Sequence, residues 1–377
     1  MPARININAN MLSWAISRAG YDEHEFLINN PKVKGWMDGE TKPTLRQLES
    51  FAKQTHAPFG FLMLQEPPEE PTPIPFFRTG QASPTSVSLN VYDTIITLQN
   101  RQEWLRNYLI EEHNEPLGFV GKFEGVDNVE IIVNDIRRTL GLSETWAMDF
   151  PNWENALNYL TERIESIGVI ISFNGVVGNN THRLIPVEEC RGFVLVDEYC
   201  PFMFINSADS KSAQMFTIVH ELAHIWVGKS AGFDFNRMHP ADNEIEILCD
   251  KVAAEFLVPA ESFITVFNEN RDFKSISRFF KVSPIVVMRR ALDLDLISKA
   301  QFFKLYNNYM KDFAFKRSKL KEKPGGNFFA TAKKRVSPTF AAYINHAVLS
   351  NKLLYRDATK LTGLKASTYE KLLNEYL

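Results

Sequence analysis

The stretch Ser212–Pro259 reads SAQMFTIVHELAHIWVGKSAGFDFNRMHPADNEIEILCDKVAAEFLVP, and the rest of the chain is organised around it. At its centre, His220-Glu221-Leu222-Ala223-His224 has the form H-E-x-x-H. Helix positions i and i+4 lie one above the other, so a helix would turn His220 and His224 toward one point. Glu221 stands beside the first of them, where a zinc hydrolase keeps its general base. Phe216, Val219, Leu222, Ala223 and Trp226 recur at spacings of three and four, the period of a helix. Ser210 or Ser212 can cap its start, and Gly228 marks its end.

A second helix is predicted from Glu244 to Leu257, with Ile245, Leu248, Val252, Phe256 and Leu257 as its apolar face and Pro259 closing it. Glu246 and Asp250 are again four apart and share a face. Glu246 would complete a His-His-Glu zinc site that leaves the fourth position to water. Asp250 would accept a hydrogen bond from the other ring nitrogen of a ligand histidine, with His220 as first choice, fixing its tautomer. Glu244 and Glu255 fall off this face. His239, in the Pro-containing loop between the helices, reads as a loop histidine, with a role at the oxyanion as the alternative. The longer pattern H-E-x-x-H-x-x-G-x-x-H does not fit, because Val227 and Ser230 stand where Gly and His are needed.

These residues resemble the ImmA/IrrE family of metallopeptidases. The resemblance rests on Phe216–His224, on Glu246-Ile-Leu-Cys-Asp250 and on Ala253-Ala-Glu-Phe-Leu-Val-Pro259. Cys249, Val252 and Val258 replace the family's usual Ala, Phe and Met, and these changes leave the proposed ligands in place. The resemblance implies a zinc-dependent endopeptidase that cleaves a helix-turn-helix repressor. It also implies an α+β fold, mainly helical, with a zincin-like core, a small β-sheet and flanking helical domains.

The 377 residues suffice for two or three domains, and the 45% apolar fraction is that of a globular protein. A net charge of -3 gives no bulk attraction to polyanions. Three cysteines, Cys190, Cys200 and Cys249, are too few and too irregularly spaced for a disulfide framework and fit a reducing cytoplasm. The N-terminus MPARININANML lacks the apolar core of a signal peptide, and no apolar run approaches membrane-spanning length. A soluble, cytoplasmic protein without a membrane partner is expected.

Residues 1–65 read as short helices joined by tight turns: Met11 onward, Asp22–Leu27, Val33–Met37, and a helix opened by Thr44. Trp36–Ala52 resembles the repressor-like domain often fused ahead of this peptidase. Between Glu23 and Val33, however, only Asn29, Asn30 and Lys32 offer base-reading chemistry. DNA binding and protein contact both stand as readings. Residues 66–80 form a Pro-rich, acidic linker whose Phe76 and Phe77 are costly to leave in water.

Residues 81–167 read as a helical region, with helices at Val91–Glu112, Val129–Leu140 and Trp153–Ile167. A peptidase core is expected at 168–270. Val169–Phe173, Phe193–Val196 and Phe202–Ile205 read as strands of a small sheet, to whose edge a peptide substrate could add. His182, between strands, reads as an exposed loop histidine. A C-terminal helical domain follows at 271–377. It has a helix-turn-helix rhythm through Ser275–Leu292, a pair Arg289 and Arg290 that reads as a solvated helix face with phosphate contact as the alternative, and basic runs at Lys311–Lys323 and Lys333–Arg335. Gly325–Phe329 reads as a turn, and two helices are expected in the last fifty residues. The competing function is a transcription regulator or toxin–antitoxin component that keeps the zinc fold and acts by binding DNA or protein.

Overall fold

Alternation between helix-period and strand-period sequence sets the architecture seen in the computed structural model, which describes residues 3–70, 76–77, 87–228, 231–233, 244–319 and 328–376. Two compact units result, Met1–Pro73 with Ser86–Asp93, and Ile74–Thr85 with Thr94–Leu377.

The first unit holds α1 (Ala9–Arg18), α2 (Glu23–Asn29), α3 (Pro31–Met37) and α4 (Leu45–Gln54). Each start has a local cause. Asn8 and Asp22 accept from backbone amides of the first turns of α1 and α2, Pro31 opens α3, and Thr44 forms a reciprocal capping box with Gln47. Leu12, Ile16, Phe26, Trp36, Leu48 and Phe51 close one apolar core. Glu70, at the beginning of the Pro-rich linker, receives two hydrogen bonds from Arg18, at 2.5 and 2.8 Å.

The second unit is α+β and mainly helical. Its mixed sheet runs β1 (Phe76–Phe77), β7 (Ala231–Phe233), β5 (Gly192–Leu195), β6 (Phe202–Asn206), β2 (Ile170–Asn174) in spatial order. β2 is parallel to β6 and β1 to β7, while β5 is antiparallel to both its neighbours. The linker residues Phe76 and Phe77 thus pair with Gly232 and Phe233 at one edge. A hairpin, β3 (Val176–Val177) and β4 (Asn180–Leu184), stands apart from this sheet and carries the exposed His182. The sequence reads this histidine as a loop residue; it sits in a short polar strand without the apolar alternation that marks one.

β2, β5 and β6 are buried along their whole length because helices cover both faces, which is why they read as continuous apolar runs. On one face, Ile171, Val194, Met203 and Ile205 share a core with α6 (Val129–Leu140), α7 (Trp153–Ser166), α8 (Lys211–Val227) and α9 (Glu244–Leu257). On the other, Phe202 meets Phe340 of α15 (Pro338–Leu349) edge-on at 5.4 Å, and Phe340 meets Trp104 of α5 (Leu89–Glu111) at 5.8 Å. Gln102 of α5 donates to the Leu195 and Cys200 carbonyls.

Beyond α9 come α10 (Ala260–Glu269), α11 (Phe273–Phe280), α12 (Pro284–Asp293), α13 (Lys299–Lys319) and α14 (Phe328–Val336). After α15 follow α16 (Tyr355–Thr362) and α17 (Ala366–Tyr376). The last fifty residues therefore hold four helices where two are expected. Ser337, with φ of 72°, separates α14 from α15, and left-handed Gly363 ends α16, so each helix is too short for its period to stand out. Of the expected turn at Gly325–Phe329, residues 325–327 lie outside the described residues and Phe328–Phe329 begin α14. Among the described residues, no helix is long and apolar enough to cross a membrane.

Candidate metal centre

α8 is buried all round from Thr217 to Val227, so its polar side chains have no water to fall back on. Its ends are fixed. The Ser210 side chain accepts from Ala213 N, and left-handed Gly228 returns its N–H to the His224 and Ile225 carbonyls. A loop from the α5–α6 connection completes the cap, with Gly121 and Phe123 amides donating to the Ile225 and Trp226 carbonyls. A Cβ on Gly228 would lie 2.9 Å from Gly121 Cα, so this backbone approach requires glycine. Trp226 is locked by stacking on Phe119 at 4.5 Å and by its Nε1–H donating to buried Asp135 at 3.0 Å.

α9 lies across α8 and is anchored at its far end. Arg137 of α6 donates to the Glu255 and Phe256 carbonyls, and Arg290 of α12 donates to the Val258 carbonyl and pairs with Glu255. Arg290 is therefore neither a phosphate contact nor a solvated face, since 92% of it is withdrawn from solvent by this role. Arg289 instead pairs with Asp293 on the surface. Neither use was visible in the Arg-Arg dipeptide, because both depend on where α12 packs.

The two helices bring His220, His224 and Glu246 together. His220 Nε2 lies 3.1 Å from Glu246 Oε2. His224 Nε2 lies 3.3 Å from Glu246 Oε1 and 3.2 Å from His220 Nε2. His220 Nδ1 faces Asp250 Oδ1 at 3.0 Å. With Asp250 accepting the Nδ1 proton, the Nε2 lone pair of His220 points into the triangle. A tetrahedral cation with bonds of about 2.0–2.1 Å has ligand–ligand edges of about 3.3–3.4 Å. The three donors already stand close to that spacing, and these three residues form a group able to hold a metal ion. Two imidazole nitrogens this close cannot both carry protons, so a shared cation suits the donor set.

The electrostatics of the protein groups agree. Burial pushes the His220 pKa down, but hydrogen bonds to Asp250 and Glu246 outweigh it and hold the ring up to about 10. Burial pushes Glu246 up, and the two histidines overcome it and hold the carboxyl well below its usual range. This is a pocket of negative potential that favours positive charge. Glu221 differs: burial lifts its carboxyl to about 7 against the pull of both histidines. It is fully buried, and neither oxygen has a hydrogen-bond partner among the described residues. Such an orphaned acceptor is rare in a folded interior and costly when ionised.

Of the competing ligands, Glu244 is exposed, Glu255 is turned to Arg290, and His239 lies outside the described residues. One residue of the site was missed. Gly192, on β5, lies under Glu221: a Cβ there would sit 3.4 Å from Glu221 Oε1 and only 2.5 Å from Thr217 Cγ2. A glycine heading an apolar strand, Gly192-Phe-Val-Leu195, was the available signal for close backbone approach.

Residues 182–292 match the family model of the IrrE N-terminal-like domain, peptidase family M78. The match takes in α8 and α9 but less than a third of the chain, and it supports an ImmA/IrrE-type metallopeptidase domain in this segment. Residues 336–375 match the model of a domain of unknown function, DUF8813. A comparison with curated proteins gives no match.

Proposed function

We propose that the chain is a zinc-dependent endopeptidase in which His220, His224 and Glu246 hold the metal and Glu221 is the general base. The observation that carries this reading is the Glu221 carboxylate, buried and unpartnered beside three convergent ligand atoms. When bound there, zinc supplies a Lewis acid for the peptide carbonyl and lowers the pKa of water to about 7. Glu221 takes the proton of the attacking water and passes it to the leaving amine. Asp250 orients His220 through the Nδ1 hydrogen bond.

The proposed substrate is a protein, in the first instance a helix-turn-helix repressor. This rests on the family resemblance and the domain match rather than on any pocket. The helical first unit is proposed to recruit that protein, or DNA, in a cytoplasmic setting that suits three buried thiols. A regulator or toxin–antitoxin component acting by binding alone is the weaker reading. A closed structural zinc site needs no base, and a buried carboxylate without partners would then be a cost without a return.

The test is metal content of the full chain beside His224→Ala and Glu246→Ala. About one zinc per chain, lost in both variants, is expected. A folded wild-type protein that takes up no zinc would overturn the proposal and leave the binding-only reading.

A further inference from the structure

The sheet face turned away from α8 borders a cavity of about 270 Å³ between β2, β6, α5, α14 and the end of α16. Its charged wall is cationic: Arg101, Arg335 and Lys360. Arg101 is 8% exposed, and its donors go to neutral carbonyls, Nε to Leu361 at 2.8 Å, Nη1 to Arg335 at 3.3 Å and Nη2 to Thr362 at 3.2 Å. A guanidinium has five N–H groups, so two remain after these three bonds. Arg335 donates through Nη1 to Asn179 Oδ1 at 2.7 Å, while its buried Nε has no partner among the described residues. Lys360 is largely exposed, and its acid neighbour Asp357, 3.6 Å away, also pairs with Arg356 and does not line the cavity.

Arg101 is withdrawn from water and Arg335 is half-buried with its Nε shut off from solvent, and neither has a carboxylate partner among the described residues; hydrogen bonds to neutral carbonyls and an amide offset only part of that desolvation cost. Burial alone pulls Arg101 down to about 10, with no acid acting the other way, and Arg335 is lowered for the same reason. A purely structural account makes Arg101 a clamp on the carbonyls that end α14 and α16. That explains its three bonds, but neither the orphaned Arg335 Nε nor the open space in front of both. Paired guanidinium forks match the oxygen geometry of phosphate. Leu98, Phe204 and Val336 supply an apolar wall, and the volume lies just below the usual range for small-molecule sites.

We propose that this cavity binds a small organic phosphate, with Arg101 and Arg335 on the phosphate oxygens, Lys360 at the rim and the apolar wall on the organic part. The site is separate from the metal centre and does not depend on the peptidase reading.

The test is calorimetric titration of the full chain with inorganic phosphate and with phenyl phosphate, using succinate at matched ionic strength as a carboxylate control. Saturable binding is expected for both phosphates, several-fold tighter for phenyl phosphate, with a melting temperature that rises with ligand concentration. Arg335→Gln should weaken binding tenfold or more. Lys360→Ala, a change at an exposed side chain that will not disturb folding, should weaken it several-fold. Absence of saturable phosphate binding, a preference for succinate, or unchanged binding in both variants would overturn the proposal. So would binding that survives in Arg335→Gln but disappears in His224→Ala, since the anion would then sit on the metal centre.

Discussion

Replacing Gly192 with Ala tests whether the sheet sets the position of Glu221. The added Cβ would lie 2.5 Å from Thr217 Cγ2, 2.9 Å from the Phe204 carbonyl oxygen and 3.4 Å from Glu221 Oε1. Apolar carbons settle at about 3.5–4.0 Å, so the gap at Thr217 must open by about 1 Å. The Phe204 carbonyl belongs to β6, which pairs with β5 along its length and has little room to yield. The displacement therefore falls on α8. Glu221 follows Thr217 by one helical turn on the same face and moves with it. His220 and His224 lie on the same helix but keep their ties to Glu246 and Asp250 on α9, which packs along α8 and can follow it. Overpacking of this kind costs about 1–3 kcal/mol. For a unit of about 300 residues, that lowers the melting temperature by about 2–5 °C. A misplacement of about 1 Å in a reacting group costs about 10²-fold in rate. The expected outcome is thus wild-type zinc content, reduced melting temperature and about 10²-fold slower cleavage of the partner protein. Thr217→Ser removes the clashing methyl, so Gly192→Ala with Thr217→Ser should recover part of both losses, read as coupling in a double-mutant cycle. A single variant with wild-type cleavage rate and lowered melting temperature would refute the link between Gly192 and Glu221 placement.

Glu221→Gln should keep its zinc and lose about 10²–10⁴-fold in cleavage, measured as product formed per bound metal; undiminished cleavage removes Glu221 from the base role. Asp250→Ala should weaken zinc affinity about 10–100-fold in a competition with a chelator, and Asp250→Asn, which can still accept from Nδ1, should lose less. Equal affinity in all three proteins would show that His220 needs no orienting partner. Asp135→Ala strands the buried Trp226 Nε1–H and should destabilise the second unit by about 1–3 kcal/mol in thermal melting. In the wild type, burial pushes Asp135 up, but hydrogen bonds from Lys122 and Trp226 win and hold its carboxyl below the usual value. Its contribution is therefore complete above pH about 4 and fades as the pH falls through the lowered value. A destabilisation that persists undiminished in acid would mean that packing, not the carboxylate, is at stake.

What the sequence made legible is what is local. His220 and His224 lie four apart on one helix, as do Glu246 and Asp250, and helical period alone puts each pair on one face. The apolar runs of β2, β5 and β6 announced strands because both faces are covered. The pairing order was not legible, since β1 and β7 contribute only two and three residues and come from distant parts of the chain. The fate of Arg290 was equally hidden, because the carbonyl and carboxylate that hold it come from the turn after α9 and from α9 itself, 32 and 35 residues earlier.

The same division runs through the metal centre itself. The proposed ligands come together from spacing alone, because a metal site asks for donor types at fixed helical spacing. The proposed base is different, because its chemistry depends on what does not touch it. Glu221 is useful as a proton acceptor only while no fixed donor occupies its oxygens, and nothing in H-E-x-x-H requires that. It follows from Gly192, whose missing side chain lets α8 lie against β5 and leaves the carboxylate over bare backbone. A side chain at that position would fill the space or push the helix away, and the ligands could still bind metal. On the proposed reading, metal capacity and hydrolytic capacity are specified by different residues, and one change on a strand 29 residues ahead of Glu221 should remove the second and leave the first.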